Sequence, residues 1–113
     1  MHELAITEGI LNAVLPAARS AGASRILEIR LKIGVLSGVI PACIEEYLAI
    51  AARGTLAEGA RLHVETVPIR LHCNACGSGS QPEGRKAFCP VCGSRDIRIT
   101  AGREYCIDSI EVE

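Results

Sequence analysis

The sequence predicts an α+β fold: two helices packed on a small mixed sheet, with a cysteine-bearing module inserted into it. Three observations lead there. Two segments carry apolar residues at helical spacing, and several shorter ones alternate apolar with polar. Four cysteines form two close pairs in the second half of the chain. Finally, the apolar phase of the strands slips by one residue on either side of those pairs.

Residues 4–21 read as the first helix, with Leu4, Leu11, Val14, Ala18 and Ala21 on one face and Ile6, Ile10 and Ala17 beside it. Gly22 is its stop. Pro16 removes the bond to the Asn12 carbonyl, so a kink or an early end is expected. In residues 25–33, Leu27, Ile29, Leu31 and Ile33 alternate with Glu28, Arg30 and Lys32, which describes a strand with one buried face. Gly34, Ser37 and Gly38 mark a loop. Pro41 then suits the first turn of a second helix, with Ile40, Ile44, Tyr47, Leu48 and Ala51 as its buried stripe and Gly54 as its stop.

A second strand starts near Arg61, with Leu62 and Val64 facing one way and Arg61, His63 and Glu65 the other. After Pro68 the apolar residues are Ile69 and Leu71, of opposite parity. A one-residue slip reverses faces, so Pro68 marks a bulge or a passage into new packing. Near the end, Tyr105 and Ile107 give way to Ile110 and Val112. The two slips bracket an inserted module at residues 71–104, leaving 1–70 and 105–113 as the main domain.

The 113 residues suit one compact domain with a small appendage, and the 49% hydrophobic content allows a packed core. With Tyr47, Phe88 and Tyr105 the only aromatics, that core must be aliphatic. A formal charge of −1 argues against a general polyanion binder. From residue 70 to 103, however, six basic residues face two acidic ones. No stretch reaches the roughly 20 apolar residues of a membrane span, and no secretory leader is visible, so a cytoplasmic protein is expected.

The pairs are Cys73-Asn74-Ala75-Cys76-Gly77 and Cys89-Pro90-Val91-Cys92-Gly93. Two residues between cysteines let both sulfurs of a tight turn reach one ion, and the following glycine can take positive φ so that N–H groups turn toward the thiolates. Two such turns make a tetrahedral S₄ site, the closed structural geometry of zinc, in a zinc-ribbon-like module. Iron is the chemical rival, which would make a rubredoxin-like electron carrier. Four thiolates leave zinc no open position, so catalysis there is not expected. His72 reads as a solvent-facing strand residue, Cys43 as a small buried one, and Cys106 has no assigned role.

The chain opens Met1-His2-Glu3. A histidine in second place can be an exposed residue of a frayed end. It also allows three nitrogens to converge: the Met1 α-amine, the His2 backbone nitrogen once deprotonated, and the His2 imidazole. Nitrogen donors in a plane suit Ni(II) or Cu(II), and Glu3 can add an oxygen or its backbone nitrogen. No paired carboxylates, nucleophile–base set or phosphate loop points to an enzyme, and Glu45-Glu46 reads as the wet face of a helix.

From end to end the chain resembles the HypA/HybF hydrogenase-maturation nickel chaperones. The marks are Met1-His2-Glu3, Leu31-Lys32-Ile33-Gly34, Arg53-Gly54-Thr55 with Glu58-Gly59, the paired Cys73/Cys76 and Cys89/Cys92, Gly102-Arg103-Glu104, and the closing Ser109-Ile110-Glu111-Val112-Glu113. The resemblance implies a nickel domain of helices on a small sheet, with a zinc domain inserted before the last strand. It implies transient Ni(II) carried by His2, with Glu3 and the Met1 amine nearby, beside structural Zn(II). It also implies delivery to the large subunit of [NiFe]-hydrogenase together with the GTPase HypB, and in some organisms service to urease maturation. The alternative from another class is a zinc-ribbon module that binds nucleic acid or protein. The near-neutral charge and the lack of stacking aromatics count against nucleic acid.

Overall fold

A computed structural model describes residues 3–84 and 86–113. The chain forms two compact units. The first takes in the chain up to Leu31, Gly38–Glu65 and Cys106–Glu113; the second is Lys32–Ser37 with Thr66–Tyr105. Among the described residues no helix is long and apolar enough to cross a membrane.

The first unit holds α1 (Glu3–Ser20), α2 (Pro41–Ala51) and most of a three-stranded sheet of order β2-β1-β6. Its strands are β1 (Ile26–Gly34), β2 (Arg61–Val67) and β6 (Tyr105–Val112). The sheet is mixed, as its end bonds show. The Ile26 N–H donates to the Leu56 carbonyl ahead of β2, and the Val35 N–H to Val67 at its far end, so β1 and β2 run together. The Glu113 N–H donates to the Arg25 carbonyl and the Gly34 N–H to Glu104, so β6 runs the other way. The expected α+β class, two helices with a small mixed sheet, is what the chain adopts.

α1 buries Ile6, Thr7, Ile10, Leu11, Val14 and Ala18. That stripe differs from the expected one: Leu4 is 51% exposed, and Ala17 and Ala21 face solvent. Thr7 explains the difference. Its hydroxyl donates to the Glu3 carbonyl at 2.8 Å, so a polar residue can sit at the centre of an apolar face. Pro16 does not end the helix, which runs on to Ser20. Asn12, whose carbonyl loses a donor to Pro16, lies on the exposed side. Termination comes at Gly22 (φ +68°), where the Gly22 and Ala23 N–H groups close on the Arg19 and Ala18 carbonyls.

α2 begins at Pro41 as expected. Its buried residues are Ile44 and Leu48, with Ala52 just beyond, while Ile40, Tyr47 and Ile50 are exposed. In β1, Ile26, Ile29, Leu31 and Ile33 are buried, and Leu27 only half so. In β2, Leu62 and Val64 are half-buried and Arg61, His63 and Glu65 exposed, which matches the alternation. On the solvent side Arg30 pairs with Glu28 at 2.6 Å, and Arg25 with Glu113.

The second unit carries a separate three-stranded sheet, order β4-β3-β5, from β3 (Arg70–Cys73), β4 (Gly79–Ser80) and β5 (Ile97–Ala101). Both pairings are antiparallel. Pro68 is therefore a passage and not a bulge: β2 ends before it, and β3 opens a new sheet after it. The irregularity in register falls at Arg70/Leu71. The second slip is also present, with Ser109 and Ile110 consecutively half-buried in β6.

Residues 32–37 join this unit through Gly34. The Gly34 N–H donates to Glu104, and the Leu36 N–H to the Gly102 carbonyl. A Cβ on Gly34 would fall inside that carbonyl group. Gly102 takes φ +114°, and a Cβ there would lie 3.0 Å from the Ile69 Cα. The two glycine-bearing motifs, far apart in sequence, form one close backbone crossing.

Candidate metal centre

The two cysteine turns are built alike. Each reads Cys-x-x-Cys-Gly-Ser. In the first, the Gly77 N–H returns to the Cys73 carbonyl at 2.9 Å and the Cys73 N–H donates to the Ser78 carbonyl at 2.9 Å. In the second, Gly93 returns to Cys89 and Cys89 donates to Ser94, both at 2.8 Å. Gly77 and Gly93 both take φ +78°, the conformation that the expected turns require. β3 delivers Cys73 to the site. Asn74 ties that turn to the approach of β5, its N–H donating to the Asp96 carbonyl and its amide to the Asp96 carboxylate.

All four sulfurs lie within 4.8 Å of one another. Cys73 and Cys92 are 3.6 Å apart, and Cys76 and Cys89 3.7 Å. A tetrahedral S₄ zinc site with bonds near 2.3 Å has sulfur–sulfur edges of about 3.8 Å, so the cluster has the size such an ion needs. Cys73 and Cys89 are buried, Cys76 and Cys92 exposed. Backbone donors already face the sulfurs: Cys76 N–H to Cys73 Sγ at 3.4 Å, and the Val91 and Cys92 N–H groups to Cys89 Sγ at 3.4 and 3.5 Å. Such donors stabilise thiolate, the form a metal binds.

Proton affinity across the cluster is divided in consequence. The Cys92 N–H, opposed by burial and reinforced by Val91, holds Cys89 down at about 6. Cys76 is also lowered, first by the Ser78 hydroxyl. At Cys92 the Ser94 N–H acts downward, but the neighbouring thiols of Cys73, Cys76 and Cys89, together with burial, push it up to about 12. Four sulfurs this close cannot all ionise without a cation among them, and a divalent ion removes that conflict.

Ser78 was not anticipated from the sequence. Its hydroxyl lies 3.0 Å from Cys76 Sγ and 3.7 Å from Cys89 Sγ, touching one sulfur from each turn. The shared Cys-x-x-Cys-Gly-Ser pattern was the signal available for it. His72 is half-buried on β3, outside the cluster. Cys43, expected to be buried, is only partly so, and Cys106 is exposed. Of the residues expected to hold nickel, Met1 and His2 lie outside the described residues. Glu3 is the half-buried first residue of α1.

Comparison with known proteins adds the family. Residues 1–112 match the family model described as "Hydrogenase/urease nickel incorporation, metallochaperone, hypA". The hydrogenase maturation factor HypA of Geobacter metallireducens is 41% identical over 113 residues, covering 100% of both chains. That of Rhodobacter capsulatus is 38% identical over 112 residues, covering 99% of each. In fold, the chain is similar to the solution structure of a HypA protein (TM-score 0.75, 22% identity, covering 100% of this chain and 97% of the other). It is also similar to that of the Ni metallochaperone HypA from Helicobacter pylori (TM-score 0.67, 21% identity, 99% and 97% covered). The chain belongs to the HypA family of nickel metallochaperones for hydrogenase and urease nickel incorporation, a family of carriers and not of enzymes.

Proposed function

We propose that this HypA-family member carries Ni(II) as cargo at the start of the chain and passes it to the large subunit of [NiFe]-hydrogenase in the cytoplasm, working with the GTPase HypB. The supporting observation is that the family match begins at residue 1 and so includes Met1-His2-Glu3. The ligands in this reading are the Met1 amine, the His2 imidazole and backbone nitrogen, and Glu3. Residues 1–70 and 105–113 form the nickel domain, and 71–104 the zinc domain. Cys73, Cys76, Cys89 and Cys92 hold one structural Zn(II), which neutralises their mutual repulsion and fixes the two turns. A closed S₄ shell offers no position for cargo, so the two metals stay separate. Urease maturation proteins are a second destination, in line with the family's description.

Amine and imidazole have ordinary pKa values of roughly 7.7–8 and roughly 6.5, so protons compete with nickel near neutrality. Titration with Ni(II) should show tight uptake by the natural chain, loss in His2→Ala, and weakening between pH 8 and pH 6. Zinc content should be the same in both proteins. Unchanged nickel uptake in His2→Ala would sink the terminal site.

A further inference from the structure

Among the described residues, β5 is the outer strand of its sheet, paired with β3 on one side only. Along it, Ile97, Ile99 and Ala101 are half-buried while Arg98 and Thr100 are exposed. A groove of about 310 Å³ continues from its end, lined by Ile99, Thr100, Ala101, Arg103 and Glu104. The register sets Arg98 opposite His72 and Ala101 opposite Arg70, so Arg98 and His72 are cross-strand neighbours and Arg70 stands at the other end of the pairing.

The second unit has seven basic residues against three acidic ones. Glu83 pairs with Lys86, the Asp96 carboxylate accepts from the Asn74 amide, and the Glu104 carboxylate from the Gly102 N–H. Among the described residues, Arg70, Arg98 and Arg103 are exposed and have no acidic partner. A free strand edge offers main-chain hydrogen bonds, and alternate side chains beside it give selectivity.

We infer that β5 is a docking edge for an extended, acidic segment of a partner protein, which adds as a further strand. Its carboxylates lie toward Arg98 and Arg103, and its alternate apolar residues lie over Ile99 and Ala101. A second copy of this chain is a poor occupant, because β5 against β5 would set arginine toward arginine, and like charges across strands are destabilising. Single-stranded RNA would be drawn to the same charge but finds few aromatics for its bases to stack on: Phe88, Tyr47 and Tyr105 are the whole supply. The inference is independent of the nickel reading, so His2→Ala should leave docking intact.

The test uses the full chain with its metal and a fluorescent twelve-residue peptide alternating glutamate with valine or threonine. Expected results are saturable binding by anisotropy, amide shifts concentrated at residues 97–104, and weakening by about tenfold or more in R98E/R103E, since charge pairs at such surfaces supply much of the selectivity. R98Q/R103Q is the milder partner variant, and amide spectra of both report that the fold is kept. The same peptide N-methylated at alternate residues keeps its charges but cannot pair, and should lose binding. Three results would overturn the proposal: equal affinity for the methylated peptide, tighter binding of a single-stranded RNA at the same residues, or shifts at 97–104 that track self-association of the chain alone.

Discussion

The two units reach a fixed structure by different means. The first buries Ile6, Ile10, Leu11, Val14, Ile26, Ile29, Leu31, Ile44 and Leu48, an aliphatic core shared by two helices and a strand. Among the described residues of the second, the buried apolar side chains are Ile33, Ile69, Leu71 and Pro82, together with the cysteines Cys73 and Cys89. Burial of apolar surface is what stabilises an ordinary domain, at about 25 cal/mol per Å². The second unit has too little of it, and the paired cysteine turns occupy the place of a core. The charge is divided in the same way, with ten acidic and five basic residues in the first unit against three and seven in the second.

With Zn(II) held by the four cysteines, as proposed above, the largest effect should come from removing that ion. Structural zinc in small thiolate peptides contributes about 10–16 kcal/mol, and such modules unfold without it. Chelation, or Cys76→Ser, is expected to abolish amide exchange protection across residues 66–105 while leaving α1, α2 and the first half of β1 protected. Cys76 is exposed, so the loss would come from the missing ligand and not from a packing defect. Protection that survives in the second unit after chelation would break the comparison, because a hidden core would then have to exist there.

The reverse experiment is smaller. Ile10 is fully buried in α1, and truncation to alanine leaves a cavity that costs about 2–5 kcal/mol. Ile10→Ala should lower the unfolding free energy of the first unit by that amount with no change in metal content. Cobalt substitution offers a direct readout, since its thiolate charge-transfer bands report the S₄ geometry. Altered bands in Ile10→Ala would show that the core and the cysteine site are one cooperative system.

The same division explains what could be read in the sequence. The cysteine turns are local, their geometry set within six residues, so their spacing, their positive-φ glycines and the gathering of the four sulfurs were legible. The strands were legible where one face is wet, as in Leu62 and Val64, and the slip at Pro68 falls where β2 ends and a separate sheet begins. The helix stripes were less clear. Thr7 is polar by type yet buried, and Tyr47 and Ile50 are apolar yet exposed, because burial depends on which neighbours arrive from elsewhere in the chain. Gly34 and Gly102 were visible only as motifs; their purpose is a crossing between segments some seventy positions apart, which no local pattern encodes.

The smallest effect concerns that crossing and separates charge from packing. The Glu104 carboxylate lies in a cradle of N–H groups, its own first, then those of Gly102 and Arg103, which hold it below the usual carboxylate range. The Gly102 N–H reaches its Oε1 at 2.6 Å. A lowered folded-state pKa means stability that is fully present above the unfolded value and lost as pH falls through the folded one. Glu104→Gln keeps an acceptor oxygen but removes the charge, so it should lower the melting temperature of the second unit slightly at pH 7. The gap to the natural chain should close on acidification below the ordinary carboxylate value. Acid also strips thiolate-bound metal, but it does so in both proteins, so the difference between them isolates Glu104. A gap that stays constant down to low pH would assign the effect to hydrogen-bond geometry, and the charge of Glu104 would then add nothing to the backbone bonds that make the crossing.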